Sequence, residues 1–314
     1  MLEKVALGQS KLRITRVGIG TAPMGSSPAW HVNWGPQDED QAIKAIRKAV
    51  GIGVNWIDTA PFYGWGRSEE IIGKAIHDIR DKVYIFTKCG TLQDGRGGFT
   101  ENLKSETIRK EVDASLRRLQ TDHIDLLQFH DPDPNTPIED SWNEVQTLIK
   151  NGTVRNGGLS NHPTHLIERA LTIGPVVSLQ VQYNPLARTA EKQILPFCQS
   201  HNIGVLSWGS LAEGFLTDNF SLDELHPDDF RRNHPFSQPG NYSKILRIKD
   251  TLGKIAIDHG VKIVNVVVAW ELAHSGLTGA IIGIRNEKEA VEMVDGTRLR
   301  LDEEEMNTIE RALS

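Results

Sequence analysis

The sequence predicts an α/β fold: a closed (β/α)8 TIM barrel with a short N-terminal β-hairpin and long C-terminal-face loops. Eight short apolar runs recur along the chain, each ending in a polar or small residue. The segments between them carry helical stripes, so strand and helix alternate. Continuous apolar strands alternating with amphipathic helices mean a parallel sheet covered by helices. Eight repeats in 314 residues favour closure over an open sheet. No linker, low-complexity tract or charge block divides the chain, so one domain over 1–314 is expected.

The first residues hold two short runs around Gly8-Gln9-Ser10-Lys11, a small hairpin expected to plug the barrel bottom. Strands are expected at 17–20, 54–59, 83–88, 124–130, 154–160, 177–183, 204–208 and 279–284. Residues 38–50 carry Ala42, Ile43, Ile46, Ala49 and Val50 in a helical stripe. Ser68 precedes Glu69 and Glu70 and reads as a helix start, with acids at the positive end of the dipole. Helices follow at 107–119 and 139–150, and Asn151-Gly152 closes the second. Residues 211–242 are rich in Pro, Asp and His and lack a period; so long a loop is a functional lid or disordered.

Composition narrows the function. With 39% hydrophobic and 24% charged residues, the chain suits a soluble globular protein with a sizeable core. A net charge of -6 without a dense Lys/Arg block argues against nucleic acid. Met1-Leu2-Glu3-Lys4 lacks a signal-peptide core, and no apolar run nears the ~20 residues of a membrane span. Two cysteines, Cys89 and Cys198, without a CxxC pair point to a reducing, cytoplasmic setting and no metal centre. Cys89 reads as a packing residue, with an oxidation-sensitive thiol as the alternative. His162-Pro163-Thr164-His165 reads as a helix start rather than a metal site. Gly18-Ile19-Gly20-Thr21-Ala22-Pro23 lacks the third glycine and the helix of a dinucleotide fingerprint.

Three strand ends place Asp58, Lys88 and His130, with Tyr63 just beyond the first. Singly, each has an ordinary reading: a cap, an ion pair, a buried histidine, a packing phenol. Jointly, four compatible groups fall where barrel enzymes carry their sites. Such a set can give a proton to a carbonyl.

The chain resembles the aldo-keto reductase superfamily, near its bacterial general-reductase branch. The resemblance spans essentially the whole sequence. It rests on Asp58-Thr59-Ala60-Pro61-Phe62-Tyr63-Gly64 with Gly66-Arg67-Ser68-Glu69-Glu70, Thr87-Lys88, Gln128-Phe129-His130, Gly158-Leu159-Ser160-Asn161, Gln180-Val181-Gln182-Tyr183-Asn184 and Gly283-Ile284-Arg285, in that order. By this resemblance Asp58, Tyr63, Lys88 and His130 form the family's catalytic tetrad. Tyr63 is the proton donor, its pKa of about 10 lowered by the Lys88 ammonium. Asp58 holds Lys88 charged, and His130 orients the substrate oxygen. No side chain supplies hydride, so a nicotinamide must.

For that cofactor, Gly20 and Thr21 lie at the first strand end. Ser160, Asn161 and Gln180 end strands five and six and suit a carboxamide, and Tyr183 is expected to stack on the ring. Ser207, Gly209, Leu211 and Gly214 lie where the family folds over the pyrophosphate. Gly283 leads to Arg285, which suits an adenosine 2′-phosphate or else pairs with Glu287 or Glu289. Related reductases carry Gln at Glu289 and Asn at Met293, both expected adenine contacts. NADPH is therefore expected, with NADH open, and residues 211–242 should order on cofactor binding.

Trp30, Trp34 and Trp65 are expected pocket walls, with loop packing as the alternative for the first two. Asp131 stands where many relatives carry Trp, which suits a small carbonyl or sugar substrate over bulky aromatics. The expected activity is reduction of aldehydes or ketones. The alternatives are a sugar or alcohol dehydrogenase, a slow cofactor-binding regulatory subunit, and a barrel isomerase or lyase.

Overall fold

A computed structural model describes residues 2–96 and 98–313. Met1 and Ser314, the ends of the expected 1–314 domain, lie outside the described residues. The chain opens on an antiparallel hairpin, β1 (Lys4–Ala6) and β2 (Arg13–Thr15). Then come β3 (Val17–Gly20), α1 (Glu39–Gly51), β4 (Trp56–Asp58), α2 (Arg67–Ile76) and β5 (Tyr84–Cys89). A second hairpin, β6 (Thr91–Gln93) and β7 (Phe99–Glu101), precedes α3 (Ser105–Leu119). It is followed by β8 (Leu126–Phe129), α4 (Ile138–Lys150), β9 (Gly157–Ser160), α5 (Thr164–Leu171), β10 (Ser178–Gln182) and α6 (Ile194–Ser200). The last part holds β11 (Gly204–Trp208), α7 (Pro239–Asp258), α8 (Ile263–Ala273), β12 (Leu277–Gly283), α9 (Glu287–Asp295) and α10 (Glu303–Leu313). The parallel strands β3, β4, β5, β8, β9, β10, β11 and β12 close a barrel in chain order.

Side chains on a strand alternate between its faces. Leu7, Leu12 and Ile14 from the first hairpin pack with Trp56, Phe86, Leu126 and Leu206 inside the barrel. The expected plug is therefore present. Its turn needs Gly8, at φ +51, where a Cβ would meet the Val177 carbonyl oxygen at 2.3 Å. Gly18 makes room for the Trp56 indole, which a Cβ there would approach to 2.2 Å. Outward residues such as Val205, Leu179 and Phe129 pack against the helices.

Asp38 caps α1, its carboxylate accepting from the Gln41 N–H at 2.8 Å. Ser68 does not cap α2. The helix starts one residue earlier, after Gly66, and Ser68 points inward to Thr21 Oγ1 at 2.7 Å. The hairpin of β6 and β7 has no counterpart in the sequence expectation; strands of three residues carry too little period to detect. Residues 211–242 are not irregular throughout. They form short 3-10 turns at Ala212–Gly214, Phe230–Asn233 and Pro235–Ser237, and their last residues enter α7, whose first residue is Pro239. Among the described residues no helix is long and apolar enough to cross a membrane.

Candidate active site

The same alternation that fills the barrel with apolar groups puts polar groups one layer higher. Trp56 and Phe86 face inward, so Asp58 and Lys88, two residues on, do too. Lys88 Nζ donates to Asp58 Oδ1 at 2.6 Å, the Thr59 carbonyl at 3.0 Å and Tyr63 Oη at 3.1 Å. Asp58 Oδ2 accepts from Gln180 Nε2 at 2.7 Å and Gln128 Nε2 at 3.3 Å. Lys88 and Asp58 are buried, so the pair acts in a low-dielectric layer. The His130 ring stands edge-on to Tyr63, centroids 5.7 Å apart. All four expected tetrad residues are thus gathered at one end of the barrel.

Burial pushes the Tyr63 phenol up. Lys88 pulls against it without reversing the net rise, contrary to the lowering expected from sequence. Burial pulls the Lys88 ammonium down, but Asp58 and Tyr63 outweigh it and the pKa is raised. Burial, helped by Lys88, holds His130 well below its ordinary value. At neutral pH the layer therefore holds a protonated phenol, an ammonium and a neutral imidazole.

Above this layer lies a cavity of about 650 Å³. Asp58, Tyr63, His130 and Asp131 line one part of it, with Trp30, Trp34 and Phe62 as walls. Ser160, Asn161 and Gln180 line it as well. Gly20, Thr21, Gly209, Leu211, Gly214, Gly283, Arg285 and Glu289 line the remainder. Ser160 Oγ is buried without a hydrogen-bond partner among the described residues. An orphaned hydroxyl beside two amides in a cavity this size is what a bound carboxamide would satisfy, so the residues fit a nicotinamide cofactor.

Four expected contacts lie elsewhere. Tyr183 faces outward, since its neighbour at 180 faces in with a three-residue offset. It is fully buried, stacks on Trp270 at 5.7 Å and donates to Glu191 at 2.8 Å. Ser207 also faces outward, near Ser210 and the Gly279 carbonyl. Met293 lies in the core with Ala290 and Val294, and its neighbour Glu292 lines the cavity instead. Trp65, at φ 56, packs edge-on to Phe62 at 5.3 Å, behind the wall rather than on it. The aromatic wall expected of Tyr183 is supplied by Trp208, whose indole N–H donates to Asn161 Oδ1 at 2.9 Å. Trp208 is inward because Leu206 is, a signal the two-residue period carried. Arg231, Lys262 and Glu213 also line the cavity, beyond the residues the sequence pattern points to. They come from long loops and a distant helix start, where no period points inward.

Arg285 is not a free cation. Its Nε donates to Gln37 Oε1 at 2.7 Å, Nη1 to the Trp34 carbonyl at 3.0 Å and Nη2 to the Pro36 carbonyl. The Glu289 carboxylate accepts from the Arg285 backbone N–H at 2.7 Å, not from its guanidinium. Lys262 pairs with Glu292, and Arg231 with Asp229. The loops after β3 and β11 meet across the end of β12. The Phe230 N–H donates to the Asn33 carbonyl at 2.9 Å, and the Phe230 ring meets Trp34 edge-on at 4.8 Å.

A closed parallel barrel with an acid, an amine, a phenol and an imidazole at its strand ends defines a barrel enzyme's site. The model of the aldo/keto reductase family matches residues 16–314. The aldo-keto reductase YhdN of Bacillus subtilis is 34% identical, over 98% of this chain and 93% of its own. An NADH-specific methylglyoxal reductase of Escherichia coli is 30% identical, over 96% of this chain and 95% of its own. The solved structure of the glycerol dehydrogenase AKR11B4 from Gluconobacter oxydans superposes with a TM-score of 0.88 at 34% identity, covering 99% and 95% of the two chains. The chain belongs to the aldo/keto reductase family, which carries out NAD(P)H-dependent carbonyl reduction.

Proposed function

We propose that the chain reduces small, hydroxylated aldehydes or ketones to alcohols, with Tyr63 as proton donor. The observation that carries this is the hydrogen bond of 3.1 Å between Lys88 Nζ and Tyr63 Oη, under an open cavity. When bound, a nicotinamide would supply the hydride that the carbonyl carbon needs. Tyr63 gives its proton to the carbonyl oxygen and becomes a phenolate. Lys88 stands beside that phenolate, and Asp58 keeps Lys88 charged. The neutral His130 ring fixes the carbonyl oxygen from the other side. Ser160, Asn161, Gln180 and Trp208 are the groups that would hold the nicotinamide.

Asp131 sets the substrate class in this reading. It lines the cavity beside His130 and accepts from Asn161 Nδ2 at 2.9 Å. A fixed carboxylate there accepts hydroxyls and penalises an aromatic ring. The same residues run the reverse oxidation, and the related glycerol dehydrogenase from Gluconobacter acts, by its name, on a polyol.

For the cofactor, a 2′-phosphate would have to take Arg285 from Gln37 and from the carbonyls of Trp34 and Pro36. NADH makes no such demand, and Glu289 and Glu292 can accept ribose hydroxyls. We read the cofactor as NAD(P)H, with NADH admitted directly. A cytoplasmic setting fits two free, buried thiols, Cys89 and Cys198.

The test is consumption of NADH and NADPH by the purified protein with a panel of aldehydes, beside Tyr63→Phe. Wild-type turnover that falls at least about 10²-fold in the variant supports the reading. Turnover unaffected by Tyr63→Phe sinks it.

A further inference from the structure

A second cleft lies on the face opposite Tyr63. Thr15 and Arg16 precede β3, Ile52 follows α1, and residues 297–300 follow α9. Helices run back against the strands of such a barrel, so these segments gather at its N-terminal end. The cleft has a volume of about 460 Å³. Three arginines line it, Arg16, Arg298 and Arg300, against one acidic residue, Glu3.

The guanidinium groups are held in place by local contacts. Arg16 Nη2 donates to the Leu272 carbonyl at 2.8 Å and the Leu277 carbonyl at 3.4 Å. Arg16 Nε is buried and finds no partner among the described residues. Arg300 Nη1 donates to the carbonyls of Thr297 at 2.8 Å and Leu299 at 3.0 Å. Arg298 Nη1 reaches Asp295 at 2.9 Å from an exposed position. Burial lowers the Arg16 pKa; Glu3 raises it, and Arg300 lowers it further, so the two cations sense each other. Arg16 and Arg300 are fixed by neutral carbonyls, which leave the repulsion between these two like charges for an anion to relieve. Planar guanidinium forks also match the oxygen spacing of a phosphate group.

We infer that this cleft is a second binding site, for a small phosphate-class anion held by Arg16, Arg298 and Arg300. Nothing in the chemistry at Tyr63 uses these residues. A bound anion would join the segment after α9 to the start of β3.

The probe is pyrophosphate, titrated calorimetrically into the full chain at low salt. Arg298 and Arg300 are exposed, so the double variant R298E/R300E keeps the fold, which circular dichroism checks. The site predicts binding weakened at least about tenfold in R298E/R300E. It also predicts binding unchanged in Arg231→Gln, which alters the larger cavity, and in K110E/R117E, an equal charge reversal on exposed residues of α3. No binding to the wild type at about 10 mM would overturn the inference. So would equal weakening in K110E/R117E, or binding that Arg231→Gln removes and R298E/R300E leaves intact.

Discussion

Gln180 Nε2 donates to Asp58 Oδ2 at 2.7 Å, across 122 residues of sequence. Asp58 is thereby held on both oxygens, by the Lys88 ammonium and by an amide. Gln180, expected to serve a cofactor, already has a partner beneath the cavity floor. One side chain links the proton-transfer layer to the wall where a nicotinamide would lie.

The Lys88–Asp58 pair is deeply buried, so breaking it leaves an uncompensated charge. Lys88→Met should lose about 3–5 kcal/mol in urea denaturation. The double variant D58N/K88M should recover more than half of that. A loss under about 1 kcal/mol in the single variant would show that water reaches the pair.

Acid should weaken the fold through histidine. Burial holds His162 at about 4, although its Nδ1 lies 2.6 Å from the Ser160 carbonyl; His130 shifts the same way. The unfolded chain binds these protons near pH 6.5 and the folded chain does not. Stability should therefore fall as pH drops from about 6.5 towards 4, by at most about 1.4 kcal/mol per unit for each group. His162→Asn should show a shallower slope of denaturation midpoint against pH. An identical slope would remove His162 from the account.

Alkali should act through Glu271. It is fully buried on α8, accepts from Ser210 Oγ at 3.1 Å and is pushed up to about 8 by burial. A raised carboxyl stabilises the fold below its unfolded pKa, and that contribution is lost as pH rises from about 4.3 through 8. Glu271→Gln keeps the acceptor and removes the charge. Its melting temperature should exceed that of the wild type at pH 8.5 by a few degrees, and the gap should shrink at pH 5. A variant melting below the wild type at both pH values would contradict this.

Asp131 should decide between polar and aromatic substrates. Asp131→Trp should shift relative kcat/KM towards aromatic aldehydes at least about tenfold over hydroxylated ones. An unchanged ratio would place the specificity elsewhere in the cavity.

Where a residue sat on a strand with strong alternation, its place was legible. Asp58, Lys88 and His130 stand at strand ends, and the alternation that turns Trp56 and Phe86 inward turns Asp58 and Lys88 inward two residues on, with His130 four residues on from Leu126. Proximity to a strand end does not tell which face a side chain takes, and the same alternation turns Tyr183 and Ser207 outward. Met293 lies off the cavity for a helical reason: one step from Glu292 turns a side chain by about 100°, out of the cavity and into the core. Arg231 and Glu213 depend on how the long segment after β11 closes over the barrel, and Lys262 on where α8 starts. Arg285 was located at the cavity, but its attachment to Gln37 is a contact across 248 residues that no local pattern encodes.

The bridge from Phe230 to Asn33 separates two quantities that an open groove would merge. A ligand lying across the end of β12 would sit under that bridge, and its departure would wait for the two loops to part. How long it stayed would then be set at Phe230 and Trp34, and how tightly it was held by the walls below. Turnover in such a molecule would be paced by traffic through its roof as well as by the chemistry below.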